Sequence, residues 1–236
     1  MKIKQTYSIA LLLLSSIACK EEQLQPYQGE SYVFFAPGAD KKAPQIDFSF
    51  AYFPKTSDTT IAIQMTLWGN LFPADYTYTI KGNPIGNNPA QEQVDYSYNA
   101  TNSFRKNRAL DSCYIRLLKT TDLLKEAKTF EVALVDARQS TGGLYHKLQF
   151  RISDEVAKPA WWTTASKFSS LGAYSDIKLR QLIIFKGKNV NLEADSSFAI
   201  STLAKEFKAY LISQWNQGNR IYAEDGKKPL HETLGV

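Results

Sequence analysis

Histidine and cysteine are scarce in this chain, two of each among 236 residues. A structural zinc site usually takes about four such ligands, so a His/Cys-based metal centre is not expected. A catalytic thiol needs a base beside it, and only His146 and His231 could supply one. Long apolar runs are missing as well. The longest, Ile9 to Leu14, falls far short of the ~20 residues that cross a bilayer as a helix. No Gly-x-Ser-x-Gly elbow, P-loop, dinucleotide fingerprint, HExxH or EF-hand spacing occurs. No self-similarity at the periods of repeat arrays is visible. Neither a cofactor nor a metal is expected.

What remains is ordinary globular composition, 44% hydrophobic, 22% charged and 13% aromatic. It excludes disordered, collagen-like and coiled-coil readings. At this length about 70% of the unfolded surface can be buried, so a core forms without disulfides. One large domain or two small ones fit the length.

The first residues read as an address. Met1-Lys2-Ile3-Lys4 is basic, Ile9 to Leu14 is apolar, and Ser15-Ser16-Ile17-Ala18 supplies small residues before Cys19. That order describes a secretory signal over residues 1–18. Ser16-Ile17-Ala18-Cys19 resembles a lipobox, in which the Cys19 thiol takes a diacylglycerol. The alternative is a plain secreted protein whose cysteine is incidental. Lys20-Glu21-Glu22 resembles the short basic-then-acidic tag that sends lipoproteins of Bacteroidetes-type bacteria to the outer surface. Two or three acyl chains hold a protein on a membrane stably, whereas one does so marginally.

Lipidation would use Cys19 and leave Cys113 with no disulfide partner. Within Ser112-Cys113-Tyr114-Ile115, a strand-like run, Cys113 is expected to be buried and inert. Loss of residues 1–18 takes the net charge from +5 to +3. The excess sits in residues 158–236, where 11 Lys/Arg face 7 Asp/Glu. That is weak as a nucleic-acid footprint, and nucleic acid is not an expected partner.

Residues 19–31 read as a lipidated tether, and the polar stretch 23–31 reaches only about 30 Å. From residue 32 to 157 the pattern is that of strands. Ile61, Ile63, Met65 and Leu67 alternate along one side of a run ending at Trp68-Gly69, and Phe48, Phe50 and Tyr52 share a face before Pro54. Asp75 to Ile80 repeats the alternation, with Gly82-Asn83-Pro84 ending it. Tyr32 to Phe35, Ser112 to Leu118, Thr129 to Val135 and Leu148 to Ile152 complete seven strands. Residues 82–108 read as a long irregular excursion, either a functional loop or a surface insertion. Seven short strands with turn chemistry between them predict an immunoglobulin-like β-sandwich.

After Lys158-Pro159 the spacing becomes helical. Leu179, Leu182 and Ile183 precede Gly187, a residue suited to a helix C-terminus. Asp195-Ser196-Ser197 offers N-caps for a second helix carrying Ile200, Leu203, Phe207, Leu211 and Trp215 on one face. The expected fold is therefore mainly β with α, a sandwich at 32–157 followed by a small C-terminal helical region at 158–236.

Several motifs together resemble a Bacteroidetes lipoprotein family known as domain of unknown function 4843. They are Cys19, Tyr32-Val33-Phe34-Phe35, Phe48-Ser49-Phe50, Leu67-Trp68-Gly69, Leu117 to Leu123, Pro159-Ala160-Trp161-Trp162 and Leu171 to Lys178. The resemblance implies company with SusC/SusD-like outer-membrane nutrient-uptake systems, that is, a TonB-dependent transporter and a SusD-like lipoprotein. It carries over no catalytic residue.

The binding-grade feature is aromatic. Trp161, Trp162 and Tyr174 fall beside the expected junction, where pockets tend to form and where aromatic faces can stack on a glycan or peptide. The alternative is that they wedge the helices onto the sandwich. Paired carboxylates of a glycoside hydrolase sit apart in sequence and cannot be recognised by spacing. The expected function is that of a non-catalytic, cell-surface lipoprotein, a binding or scaffolding accessory of a nutrient importer. The alternative is a surface-anchored hydrolase of unrecognised type.

If Cys19 carries the anchor, Cys19→Ala releases the protein from the membrane fraction and abolishes incorporation of radiolabelled fatty acid. A mutant that still takes up label would refute the assignment.

Overall fold

Alternation along the chain decides the strands. In β3 (Asp58–Trp68) Ile63, Met65 and Leu67 are buried while Ala62, Gln64 and Trp68 are exposed. In β7 (Leu110–Leu118) Cys113, Ile115 and Leu117 are buried while Tyr114 and Arg116 are exposed. Side chains on a strand point to opposite faces in turn, so each pattern marks one face against a core and one against water. The computed structural model describes residues 29–36, 45–135 and 145–236. Cys19, the expected signal segment, most of the tether, Pro37-Gly38 and the Gly142-Gly143 turn lie outside the described residues.

The chain is mostly β, with a few helices. The remaining strands are β1 (Tyr32–Phe35), β2 (Gln45–Ser49), β4 (Tyr76–Pro84), β5 (Tyr96–Tyr98), β6 (Thr101–Phe104), β8 (Lys128–Leu134) and β9 (Lys147–Ser153). They form two sheets, one in the order β1-β3-β7-β5 and one in the order β2-β9-β8-β4-β6. Neighbours pair antiparallel except β2 and β9, which run parallel with Phe48 opposite Ile152. Both sheets contribute to one core, whose centre is a stack of rings. Phe130 lies between Tyr96, 3.8 Å away centroid to centroid, and Phe150, 4.6 Å away.

The nine strands among the described residues exceed the seven expected, and two stretches differ from the expectation. The first is residues 82–108, expected to be irregular from its Gly, Pro, Asn and Gln. Instead β4 continues through Gly82–Pro84 against β8, and β5 and β6 follow. Gly82 is required there, because a Cβ would sit 2.5 Å from the Tyr96 hydroxyl. The excursion is pinned by Asp95, fully buried, which accepts from Lys128 Nζ at 2.8 Å, Thr120 Oγ1 at 3.1 Å and the Gln91 amide at 2.8 Å. A buried carboxylate is tolerable only when paired and hydrogen-bonded in this way.

The second is Phe48 to Tyr52, where one continuous strand face was expected. The strand ends at Ser49, whose hydroxyl accepts from the Ala51 amide at 3.3 Å and starts a 3-10 turn over Phe50–Tyr52. Phe50 is thereby buried, whereas Phe53 is carried to the surface at 48% exposure.

Helix α1 (Asp176–Lys186) begins at Ser175, whose hydroxyl accepts from the Lys178 amide, and ends at Gly187 in the left-handed region at φ 70°. Helix α2 (Ser197–Asn216) begins at Ser196, which accepts from the Ala199 amide. Both are ordinary side-chain caps of the first turn. Ile200, Leu203, Ala204, Phe207 and Leu211 of α2 join Leu179, Leu182 and Ile183 of α1 in a second core. Among the described residues no helix is long and apolar enough to cross a membrane.

The two cores belong to one compact unit, Ser31–Val236. Asp154, one residue beyond β9 and almost fully buried, joins them. Its carboxylate meets Lys119 Nζ at 3.1 Å and Arg180 NH1 of α1 at 3.0 Å, its carbonyl accepts from Arg180 NH2, and its amide donates to the Leu123 carbonyl at 2.9 Å.

Candidate functional site

Trp161 and Trp162, expected as candidate ligand-binding residues, are core residues in the fold. They are 8% and 2% exposed and stack on each other at 5.3 Å. Trp161 also meets Phe168, and Trp162 meets the edge of Tyr174. The Trp162 indole N–H donates to the Gly172 carbonyl at 3.2 Å. Tyr174 is half-buried, and its hydroxyl donates to Asp176 at 2.6 Å. Burial, then that hydrogen bond, raises its pKa. The two tryptophans are enclosed by the second core, whereas Tyr174 keeps part of its surface open. Trp161 and Trp162 are thus packing residues of the second core, beside the helices.

Beside them lies Lys178, 1% exposed, whose ammonium donates to the carbonyls of Leu171, Ala173 and Thr233 at 2.8–3.1 Å. Burial pulls its pKa down to about 8. All three protons are taken by carbonyls, so this amine ties the 171–173 loop and the 230–236 segment to α1. Gly172 belongs to the same knot. Its φ is 71°, and a Cβ would sit 2.3 Å from the Thr233 carbonyl oxygen. Cys113 is fully buried, with its thiol pushed up to about 12 by desolvation. That is the inert thiol expected from its strand context. His231 packs edge-on against Trp215 at 5.6 Å, far in sequence from the cleft described next.

The junction does hold a cleft, of about 570 Å³, built by other residues. Its walls come from the parallel pair β2 and β9, from the turn after β2, and from residues 155–157 that lead out of β9. Phe48 and Phe53 lie parallel, 5.3 Å apart and 9° from coplanar, with Phe53 the open member. Opposite chemistry flanks this pair. Arg151 and Glu155 form an ion pair at 2.9 Å, each side chain 43% exposed, and Asp47 stands beside Arg151 in the strand register. Ser49 donates its hydroxyl proton to the Glu155 carbonyl at 2.6 Å, and the Tyr52 hydroxyl accepts from the Ala157 amide at 2.9 Å. These two bonds hold the turn to the 155–157 segment, which fixes the width of the cleft. A second recess of about 520 Å³ between Lys186 and Glu206 shares Asn189 with it and exposes Phe198.

An open ring beside a carboxylate, a guanidinium and an amide is the arrangement by which small polar ligands are held in a pocket. The ring offers a flat apolar face, and charged groups make the stronger hydrogen bonds. Among the described residues no group of three or more His, Cys, Asp or Glu is placed to hold a metal. Sequence reasoning located the junction but missed these residues. The available signal was the density of rings in Phe48-Ser49-Phe50-Ala51-Tyr52-Phe53. It read as a strand face because the cap at Ser49, which breaks the alternation, is one hydroxyl.

A family model for a domain of unknown function, DUF4843, matches residues 27–188. The chain belongs to this family. The DUF4843 match runs past the β core and through α1, so the Asp154–Arg180 link and most of the cleft lie inside the matched domain. No curated protein sequence matches the chain. Among solved structures, it is similar to a protein from Bacteroides ovatus ATCC 8483 provisionally described as carbohydrate binding, at 9% identity and TM-score 0.38 over 52% of this chain and 36% of that one. It is also similar to a Bacteroides ovatus protein of unknown function, at 14% identity and TM-score 0.35 over 52% of this chain and 45% of that one. The matched region thus spans less than half of either protein. At TM-scores this low neither likeness bears on fold or ligand.

The packed tryptophans carry a measurable cost. Trp162→Ala should destabilise the fold by about 3–5 kcal/mol, as deletion of a buried large aromatic does. Thermal unfolding of the variant shows it; an unchanged melting temperature would contradict the buried placement.

Proposed function

We propose that this DUF4843 protein is a non-catalytic lipoprotein of the cell surface that binds a glycan at the junction cleft, as an accessory of a SusC/SusD-like importer. The observation that carries the binding part is the Phe48–Phe53 pair, half open to solvent beside the Arg151–Glu155 ion pair. A sugar ring presents an apolar face of C–H groups and an edge of hydroxyls, and this cleft offers a partner to each. Asp47 and Asn189 add further hydrogen-bonding groups along the wall. A peptide would use the same ring but would also seek backbone partners, which the cleft supplies less directly.

The non-catalytic part rests on where the reactive groups sit. The Cys113 thiol is sealed in the β core, and His231 leans on Trp215. Two carboxylates, Asp47 and Glu155, do share the cleft, and they are the observation that favours the hydrolase alternative. Glu155 is held by Arg151, an arrangement suited to gripping hydroxyls rather than donating a proton. The strand order supports the immunoglobulin-like form of the sandwich. The first strand segment pairs with one sheet and the second, β2, pairs parallel to the last strand of the other. The surface location and the importer partners rest on Cys19 with its flanking signal and on the family resemblance.

The soluble chain from Lys20 onward, applied to a glycan and peptide array, is expected to retain glycans and to release them intact. Phe53→Ala should weaken that binding about tenfold, near 1.4 kcal/mol, while lowering fold stability by less than about 1 kcal/mol. Cleaved glycans in the eluate would move the protein to the hydrolase class. Undiminished binding by Phe53→Ala would remove the cleft from the account.

The partner reading has its own measurement. Gentle detergent extraction from cells grown on the inducing nutrient, followed by pull-down on this protein, is expected to recover a TonB-dependent transporter and a SusD-like lipoprotein. Repeated recovery of the protein alone would count against the assembly.

A further inference from the structure

The outward face of the β1–β3–β7 sheet carries a second aromatic surface, distinct from the cleft. The register places Tyr32 opposite Trp68 and Phe34 opposite Thr66, which in turn lies opposite Leu110. Val33, Phe35, Met65 and Leu67 point into the core, so by alternation these side chains lie on the other face, where Phe34 is half-buried beside Trp68 and Tyr145. Trp68 is 68% exposed, and Phe34 meets it edge-on at 5.9 Å. The loop after β3 adds Leu71, 50% exposed, and the loop before β7 leads into Leu110, 51% exposed. Ser31 Oγ donates to the Asn70 carbonyl at 2.8 Å and the Asn107 amide to the Phe72 carbonyl at 2.9 Å. The start of β1, the 69–72 loop and the 105–109 loop are thus gathered at one end of the domain. The 105–109 loop brings Arg105, Lys106 and Arg108, all exposed. Arg105 is paired with Asp111, and Asp75 accepts from the Lys106 amide, so the loop keeps a small cationic excess.

We infer that this end of the domain rests on an anionic lipid surface, with Trp68, Leu71 and Leu110 entering the headgroup region and Lys106 and Arg108 meeting lipid phosphates. Three features select lipid as the occupant. Indole and phenol rings favour a boundary between apolar and wet surroundings. Leu71 and Leu110 have no ring to stack on a sugar and no hydrogen bond to offer, so they distinguish this patch from the cleft. The patch also lies where the chain from Cys19 enters the fold. Twelve residues separate Cys19 from Ser31, and a chain of that length reaches at most about 40 Å, so an anchor at Cys19 would hold the Ser31 end near the membrane. Only this last argument rests on the lipid-anchor reading. Binding through apolar area and basic charge follows from the surface itself.

The test uses the chain from Lys20 onward without lipid, so its outcome is independent of whether Cys19 is acylated. Vesicles of phosphatidylcholine, with and without phosphatidylglycerol, some carrying brominated acyl chains, are mixed with the protein. Trp161 and Trp162 are buried, and the half-buried Trp215 is replaced in the background variant Trp215→Phe, so the change in tryptophan emission reports chiefly on Trp68. A blue shift with bromine quenching is expected on anionic vesicles. Leu71→Asp with Leu110→Asp should abolish it without lowering the melting temperature, because both side chains are half in solvent. Lys106→Gln and Arg108→Gln should each weaken partitioning about fivefold on anionic vesicles and leave it unchanged on neutral ones. Absence of any spectral change, or a change that survives the two aspartates, overturns the proposal. Shielding of Trp68 only by a co-purifying protein would overturn it too, and would assign the face to a protein contact.

Discussion

The carboxylate of Asp154 holds the molecule's two halves in one frame. It is almost fully buried, and it meets Lys119 from the β side and Arg180 from α1. Taking such a group out of water is costly unless its partners are well placed, so the pairing constrains geometry more than it adds stability. The strand that delivers Asp154 is β9, which also carries Arg151 into the cleft and pairs with β2. Moving the helices would therefore move the cleft wall. The Ser49–Glu155 and Tyr52–Ala157 bonds repeat the constraint a few residues away.

Much of the architecture was legible because it rests on periodicity. The alternation in β3 and β7 and the helical spacing with its serine caps and Gly187 follow directly from side-chain direction and backbone chemistry. The stretch 82–108 was not legible. Its Gly, Pro and Asn content describes a loop, while its order comes from the buried Asp95–Lys128 pair and from Tyr96 stacking on Phe130, contacts distant in sequence. The candidate site shows the same limit. The general preference of ligands for junctions pointed to the region of the cleft, whereas Trp161 and Trp162 are packed in the second core. Large aromatics gain most from burial, so the rings left open were the phenylalanines displaced by the 3-10 turn.

The cleft and the aromatic sheet face differ in chemistry. One sets an open ring among charged and amide groups, suited to a hydroxyl-rich ligand. The other sets a tryptophan among leucines with a basic border, suited to a broad amphipathic surface. They draw on different sheets, since Phe48 and Arg151 belong to β2 and β9 whereas Trp68 and Leu110 belong to β3 and β7. Occupation of one does not compete sterically for the side chains of the other.

The placement of β1 has a mechanical consequence. Residues before Ser31 join the fold at the head of a strand that lies antiparallel along β3, with four register pairs from Tyr32–Trp68 to Phe35–Met65. A pull directed along the axis of β1 acts on this whole ladder. The ladder is then loaded in shear, its hydrogen bonds sharing the force instead of opening one after another. Phe35 and Val33, locked in the core behind that ladder, act as barbs against slippage. A pull in that direction meets all four register pairs together.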